Sequence, residues 1–540
     1  MKREAETKVL VLGIDSATFN LIKPWARSGD LPNFRKILER GFHAPLLSTI
    51  PPNTPPAWTS LVTGVNPGKH GIFDFFELKG YEKRPVSSRS RRFSAVWNIL
   101  SSFGLKVAIY KVPVTYPPER VNGVLVSGML TPSLKSDFTY PREFKKELLS
   151  MGFRLDVRGE LEHTVLFRSS RDEFRNMLLE NVRRDAEIIK WMAEGLDWDL
   201  AWLTLMEVDH AQHFFWRYME GDCESWERRA YGDTIKNVYK EVDRLVGDLM
   251  RRIEGAIMFL VSDHGACKGK GLFLVNNLLL SRGFLVLRTS KSLRYTLARS
   301  LLDIASRGLG PALWRVLMAV PGGVRRKMAM RYVVTAADMD FGKTIAFMYS
   351  SSSHGIRLNV QGREPHGVVS KQEYEHVRRA VARAVKSAAD METKEPIVKE
   401  VYAREELYWG PYVEKAPDLI LELHDGYITY EIVDQSKGLV DRESLPRSGE
   451  HKREGIFMAY GPGVRKGSGG PFYVWDVVPT ILFIMGLPLD ARMDGKPILS
   501  AFEAELVRER ERVHAKWSLK QMLRGRIRQL KDRIKGLSSH

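Results

Sequence analysis

Six short apolar runs, each closed by a turn residue, recur along the chain: KVLVLGIDS, KVAIYKVPV, GVLVSGM, DLAWLTLMEVDH, AIMFLVSDHG and DLILELHDG. Runs of this length with this punctuation predict buried strands that end in loops. Between them lie stretches with apolar residues at helical spacing, among them LPNFRKILERG, RDEFRNMLLENVRRDAEIIKWMAEG and IKNVYKEVDRLVGDLMRRIEG. Alternating strands and helices predict an α/β fold, a mostly parallel central sheet with helices on both faces. Ligands of such sheets bind beyond the carboxyl ends of the strands. Asp15, Asp209, Asp263 and His264 all fall at that end.

The rhythm breaks at 282–337. There SKSLRYTLARSLLDIASRGLGPALWRVLMAVPGGVRRKMAMRY reads as two basic amphipathic helices around a Gly-Pro turn, an inserted cap or surface-docking element. A smaller β-α-β-like unit is expected next, from GIRLNVQGREP through SKQEYEHVRRAVARAVKSA to APDLILELHDG. The predicted organisation is a main α/β domain in two parts, 1–281 and 338–500, separated by the insert 282–337 and followed by a basic helical tail, 501–540.

Charge sharpens this division. Net charge is +18, yet residues 282–331 carry eleven Lys or Arg against one acid and residues 501–540 eleven against five, so these two segments hold +10 and +6 of it. The main domain is nearly neutral. Solvated helix faces are the first reading of the basic segments; a surface attracting an anionic substrate or an acidic membrane face is the second. Nucleic acid comes last, because no recognised nucleic-acid motif is present. The early VLVLGI run is too short for a secretory segment and VVPTILFIMGLPL too short for a membrane span. With two cysteines in 540 residues there is no disulfide framework, and the expectation is a cytoplasmic protein.

The candidate chemistry lies in two Asp-His pairs and one threonine. Asp209 and His213, four apart in EVDHAQH, share one face of a helical turn, while Asp263 and His264 are adjacent at a strand tip in VSDHG. Carboxylate with imidazole is a donor set for Zn²⁺ or Mn²⁺. Thr54 lies in TIPPNTPPAWTSLVTGVNPGKHGIFDF, at the start of a helix predicted to end at Gly64. Its hydroxyl can cap that helix, or it can act as a nucleophile if a cation lowers its pKa. His70 and His354 read as turn histidines. Trp58, Trp97 and Trp475 read as core or pocket wall, and the MDGKP turn as structural.

The ordered set GIDSA, TPPAWTSLVTGVNPGKHGI, DHAQH, SDHG and GEHKREG resembles the alkaline phosphatase superfamily, nearest to its type I phosphodiesterase and nucleotide pyrophosphatase branch. TYPPERVNGVLVSGMLTPS, LNVQGREP and DVVPTILFIMGLPL followed by MDGKP resemble its predicted phosphohydrolase and phosphomutase subgroup. The resemblance implies two divalent metal ions, Zn²⁺ or Mn²⁺. One would be held by Asp15, Asp263, His264 and the Thr54 oxygen, the other by Asp209, His213 and His451. It also implies Thr54 as the nucleophile, a covalent phosphothreonine, and a phosphorylated small molecule or lipid head group as substrate.

The diesterases of that branch place an asparagine some way after the nucleophile to hold a phosphoryl oxygen. Here the third residue after Thr54 is Ala57, and no asparagine follows until Asn66. Backbone N–H groups, Asn53, Asn66, Lys69 and Lys111 are the candidates for that contact, and Arg89, Arg91 and Arg92 are unplaced. The expected activity is phosphoester hydrolysis with diesters preferred. A phosphomutase on the same metal cage is the alternative, and a non-catalytic membrane-surface or nucleic-acid binding protein on the same scaffold is the alternative of another class.

Overall fold

The computed structural model describes residues 7–155, 171–253, 255–288, 338–435, 437–442 and 447–517. Most of the basic insert expected at 282–337, and the tail beyond 517, lie outside the described residues. Residues 504–517 are helical, as the tail's charge pattern predicts.

Five of the six apolar runs form one sheet. Its order is Gly467–Ser468, Phe42–Leu47, Glu454–Tyr460, Ile257–Val261, Val9–Ile14, Leu200–Leu205, Val107–Tyr110, Gly123–Val126 and Thr139–Tyr140, with Phe472–Tyr473 also pairing with Phe42–Leu47. The five strands from Ile257–Val261 to Gly123–Val126 are mutually parallel, and Glu454–Tyr460 and Thr139–Tyr140 run against their neighbours. Side chains alternate between two cores, because successive residues of a strand point to opposite faces. Leu10, Leu12 and Ile14 pack with Phe34, Val208, Val238 and Phe174 from four helices. Val9 and Val11 pack on the other face with Trp58, Trp97 and Val478. Both faces are therefore apolar and covered, which is why these strands read as unbroken apolar runs.

On the second face, Thr54–Thr63 and Val477–Ile484 are buried at every position. VVPTILFIMGLPL is thus a core helix, and among the described residues no helix is long and apolar enough to cross a membrane. The Thr54–Thr63 helix begins one residue earlier than predicted, with Asn53 as its cap and Gly64, at φ 74°, closing it.

DLILELHDG departs from the expectation of a single parallel sheet. Its strand, Leu419–Leu423, lies in a separate four-stranded sheet ordered Ala346–Met348, Gly355–Leu358, Leu419–Leu423, Val398–Ala403, with antiparallel neighbours throughout and its own core. Gly355–Leu358, the helix Tyr374–Lys386 and Val398–Ala403 form a β-α-β crossover, and Leu419–Leu423 inserts between its two parallel strands. The predicted unit ended on the wrong strand because VKEVYA, at the sheet edge, buries only Val398 fully and carries no apolar run.

Candidate active site

Three carboxylates and three imidazoles converge at the carboxyl end of the parallel strands. Asp15 follows Val9–Ile14, Asp263 and His264 follow Ile257–Val261, and Asp209 and His213 sit in the first two turns of Glu207–Glu220, which starts just after Leu200–Leu205. His451 arrives from the far end of the chain on Gly449–Lys452, which pairs with Gly265–Lys268 so that His451 lies opposite Ala266. Ligand atoms of Asp15, Asp263 and His264 lie within 4.8 Å of one another, as do those of Asp209, His264 and His451. His213 Nε2 stands 3.1 Å from Asp209 Oδ1 and 3.1 Å from His451 Nε2. The carboxylates and imidazoles of both predicted groups are thus brought together, with His264 in reach of each; Thr54 is not among the residues these distances join.

The histidines are aimed by backbone carbonyls. His213 Nδ1 lies 2.7 Å from Gly449 O, His451 Nδ1 2.8 Å from Pro52 O, and His264 Nδ1 3.2 Å from Gly265 O. A carbonyl only accepts, so each Nδ1 carries the proton and each neutral ring turns its Nε2 lone pair to the centre. Two such lone pairs facing each other at 3.1 Å beside a carboxylate form a donor set that suits a cation. Burial, with the charge of Asp209, pushes the Asp263 carboxyl well above the usual carboxylate range. His264 is driven well below the usual imidazole value by burial and by His451. Carboxylates that cannot ionise together call for compensating positive charge. The donor set therefore fits divalent metal ions, which these carboxylates and imidazoles would hold.

Residues not singled out in the sequence lock this arrangement. Ser16, left-handed at φ 65°, donates through its backbone N–H to Asp263 Oδ1 and through its hydroxyl to Gly265 O, and its carbonyl accepts from Gln212 Nε2. One residue thus ties the three segments that carry Asp15, Asp263 and His213. Tyr239 extends the network, donating to Gln212 Oε1 and accepting from Thr18 N. Trp58 is more than core: its Nε1 donates to Asp15 Oδ2 at 2.8 Å. Gly449 lets its strand lie against the Asp209 helix, since a Cβ there would sit 2.3 Å from Gln212 O.

Thr54 opens the buried helix on the far side of the centre. Its Oγ1 is buried without a hydrogen-bond partner, so it does not cap the helix. His451 positions the loop that delivers it by donating to Pro52 O, and Tyr408 OH donates to Ile50 O. The same loop walls a cleft of about 600 Å³, whose other sides include Trp409, Tyr473, Trp475, Arg453 and Lys496.

The remaining candidates are engaged elsewhere. Lys69 pairs with Asp494 at 2.6 Å and donates to Arg492 O. Lys111 pairs with Asp185 at 2.6 Å, both buried. Asn66 donates to Trp409 O and Asp494, and Arg91 to Glu119. Asp494 of the MDGKP turn gathers Asn66, Lys69 and Trp409, a structural role as expected. His70 bonds Ser60 and accepts from Ile72 N, and its burial lowers its pKa to about 3.

Comparison with known proteins agrees with this geometry. No curated protein matches the chain by sequence. Among solved structures it is similar to murine ectonucleotide pyrophosphatase/phosphodiesterase 5, an inactive threonine-to-alanine form in complex with AMP, at TM-score 0.51 and 14% identity over 92% of this chain and 100% of that one. The human protein of that name gives 0.50 and 14% over the same shares. Phosphonoacetate hydrolase from Sinorhizobium meliloti, in complex with phosphonoformate, gives 0.52 and 15% over 88% of this chain and 94% of that one. These likenesses establish the alkaline-phosphatase-like fold. The profile of type I phosphodiesterase/nucleotide pyrophosphatase matches residues 9–442, a span holding every predicted ligand except His451. The chain belongs to the type I phosphodiesterase/nucleotide pyrophosphatase family, and is by that membership a phosphoric ester hydrolase.

Proposed function

We propose that this protein hydrolyses phosphoric diesters of small molecules through a covalent phospho-Thr54 intermediate, with zinc or manganese in the two ligand groups. The observation that carries the reading is the buried, unbonded Thr54 Oγ1 on a loop whose position is set by the ligand His451. When bound, two divalent ions supply positive charge that favours the Thr54 alkoxide and offsets charge on the phosphoryl oxygens. Thr54 Oγ1 attacks phosphorus in line, the P–O bond to the leaving alcohol breaks, and phosphothreonine remains. Water then attacks the same phosphorus and the Oγ1–P bond breaks, releasing the phosphate monoester and restoring the hydroxyl. AMP in the murine neighbour is a phosphate monoester and phosphonoformate in the bacterial one a phosphonate, both small phosphorus oxyanions.

The test is hydrolysis of bis-p-nitrophenyl phosphate by the zinc- or manganese-loaded protein. Wild type releases p-nitrophenol; Thr54→Ala releases none while elemental analysis still finds two metal equivalents. Full activity in Thr54→Ala would overturn the mechanism. Phosphate moved between hydroxyls of one sugar phosphate, with little net release, would assign the protein to the mutases.

A further inference from the structure

We infer that the Asn53 side-chain amide is the group that holds a phosphoryl oxygen of the substrate while Thr54 attacks; the inference rests on the phosphothreonine reading above. Asn53 occupies the cap position of the Thr54–Thr63 helix, but its side chain makes no cap hydrogen bond. The reason is chemical. A capping side chain accepts from the N–H groups of the second and third helical residues, and those residues are Pro55 and Pro56, which have no N–H. Asparagine at this site therefore gains nothing from the role that usually selects it.

Its amide nitrogen has another use. Asn53 is 5% exposed, and Nδ2 is buried with no hydrogen-bond partner. An unsatisfied buried N–H donor is unfavourable, and a ligand oxygen satisfies it. Thr54 Oγ1, one residue on, is buried and unbonded as well. A donor and a nucleophile are thus left open on adjacent residues, and one peptide unit limits how far apart they can lie. The loop that carries both is anchored on either side. Pro52 O is held by His451, Asn53 N donates to Pro51 O, and Ala57 N donates to Asn53 O.

The helix N-terminus offers few donors of its own: Pro55 and Pro56 supply none and the Ala57 N–H is spent on Asn53 O, which leaves the Thr54 N–H to act beside the Asn53 amide. The more distant candidates are engaged as well: Asn66 and Lys69 with Asp494, Lys111 with Asp185. In this chain the phosphoryl contact comes from the residue before the nucleophile.

Asn53→Ala and Asn53→Asp test this, the second keeping the shape while replacing the donor with an acceptor. Losing one donor to a developing oxyanion lowers kcat by about 10²–10³-fold. That loss is expected in Asn53→Ala on bis-p-nitrophenyl phosphate, with metal content and urea midpoint at wild-type values. Calorimetric binding of orthovanadate to the zinc-loaded protein is expected to weaken by at least tenfold in both variants. A kcat and a vanadate affinity within threefold of wild type would overturn the inference. So would a kcat loss accompanied by loss of metal or of stability, since that would make Asn53 a support of the loop. Thr54→Ala, run alongside, separates the two readings: an active Thr54→Ala removes the phosphothreonine mechanism, whereas an inactive Thr54→Ala beside a wild-type-like Asn53→Ala removes only the role of Asn53.

Discussion

Trp58 shows how much of the centre rests on groups outside the ligand set. Its indole N–H meets Asp15 Oδ2 and so leaves the other carboxylate oxygen to face Asp263 and His264. Outer partners of this kind are worth about 10–100-fold in metal affinity. Trp58→Phe keeps the ring packing and removes the hydrogen bond. It is expected to weaken one of two zinc equivalents by about tenfold or more in competition with a chromophoric chelator, and unchanged affinity at both sites would refute the role. The candidates Asp15, Asp209, Asp263 and His264 stood out in the sequence because they close apolar runs, whereas His451 entered only through the family resemblance. Trp58 did not stand out, since a tryptophan in a buried helix is ordinary core until its N–H is seen to have a partner. Ser16 and Gln212 were hidden for the same reason: their value lies in contacts to segments 196 and 247 or more positions away.

The strand Val9–Ile14 and the helix Thr54–Thr63 work as one unit, and the glycine in VLVLGI is the reason they fit. A Cβ on Gly13 would meet the Trp58 ring at 2.5 Å and Thr204 Oγ1 at 3.0 Å. Gly13→Ala must displace the indole, a cost of about 1–3 kcal/mol for overpacking, and must disturb Asp15 with it. The expected result is a lower urea midpoint together with weaker zinc binding; a variant that keeps both at wild-type values would show that the contact is compliant. Element type was largely readable, because strands buried on both faces show themselves as apolar runs and the long helices by their period. Membership of a sheet was harder. DLILELHDG has the same apolar signature as the central strands, and its pairing with Gly355–Leu358 and with the polar edge strand Val398–Ala403 places it in the smaller sheet. Hydrogen-bond partners of an edge strand leave no trace in its own sequence.

Across the whole molecule, three buried carboxylates are gathered at one point, and Asp263 is pushed up by burial and by the charge of Asp209. Cations in the centre should therefore hold the fold together as well as serve the chemistry. Metal at a thousand times its Kd stabilises the folded state by about 4 kcal/mol. EDTA is expected to lower the urea midpoint, with restoration by zinc; coincident unfolding curves with and without EDTA would rule out this coupling. The central sheet and its end-on site could be inferred from strand-helix alternation, but the fastening of the centre by the antiparallel pair Gly265–Lys268 and Gly449–Lys452 could not, because both strands are short and mixed in polarity. That long-range pair has a consequence for synthesis. At roughly 5–20 residues per second, a ribosome that has completed the Asp15 strand needs on the order of 20 to 90 seconds to reach His451. Throughout that interval the loop that carries Thr54, the proposed nucleophile, lacks the His451 hydrogen bond to Pro52 O that holds it in the finished fold.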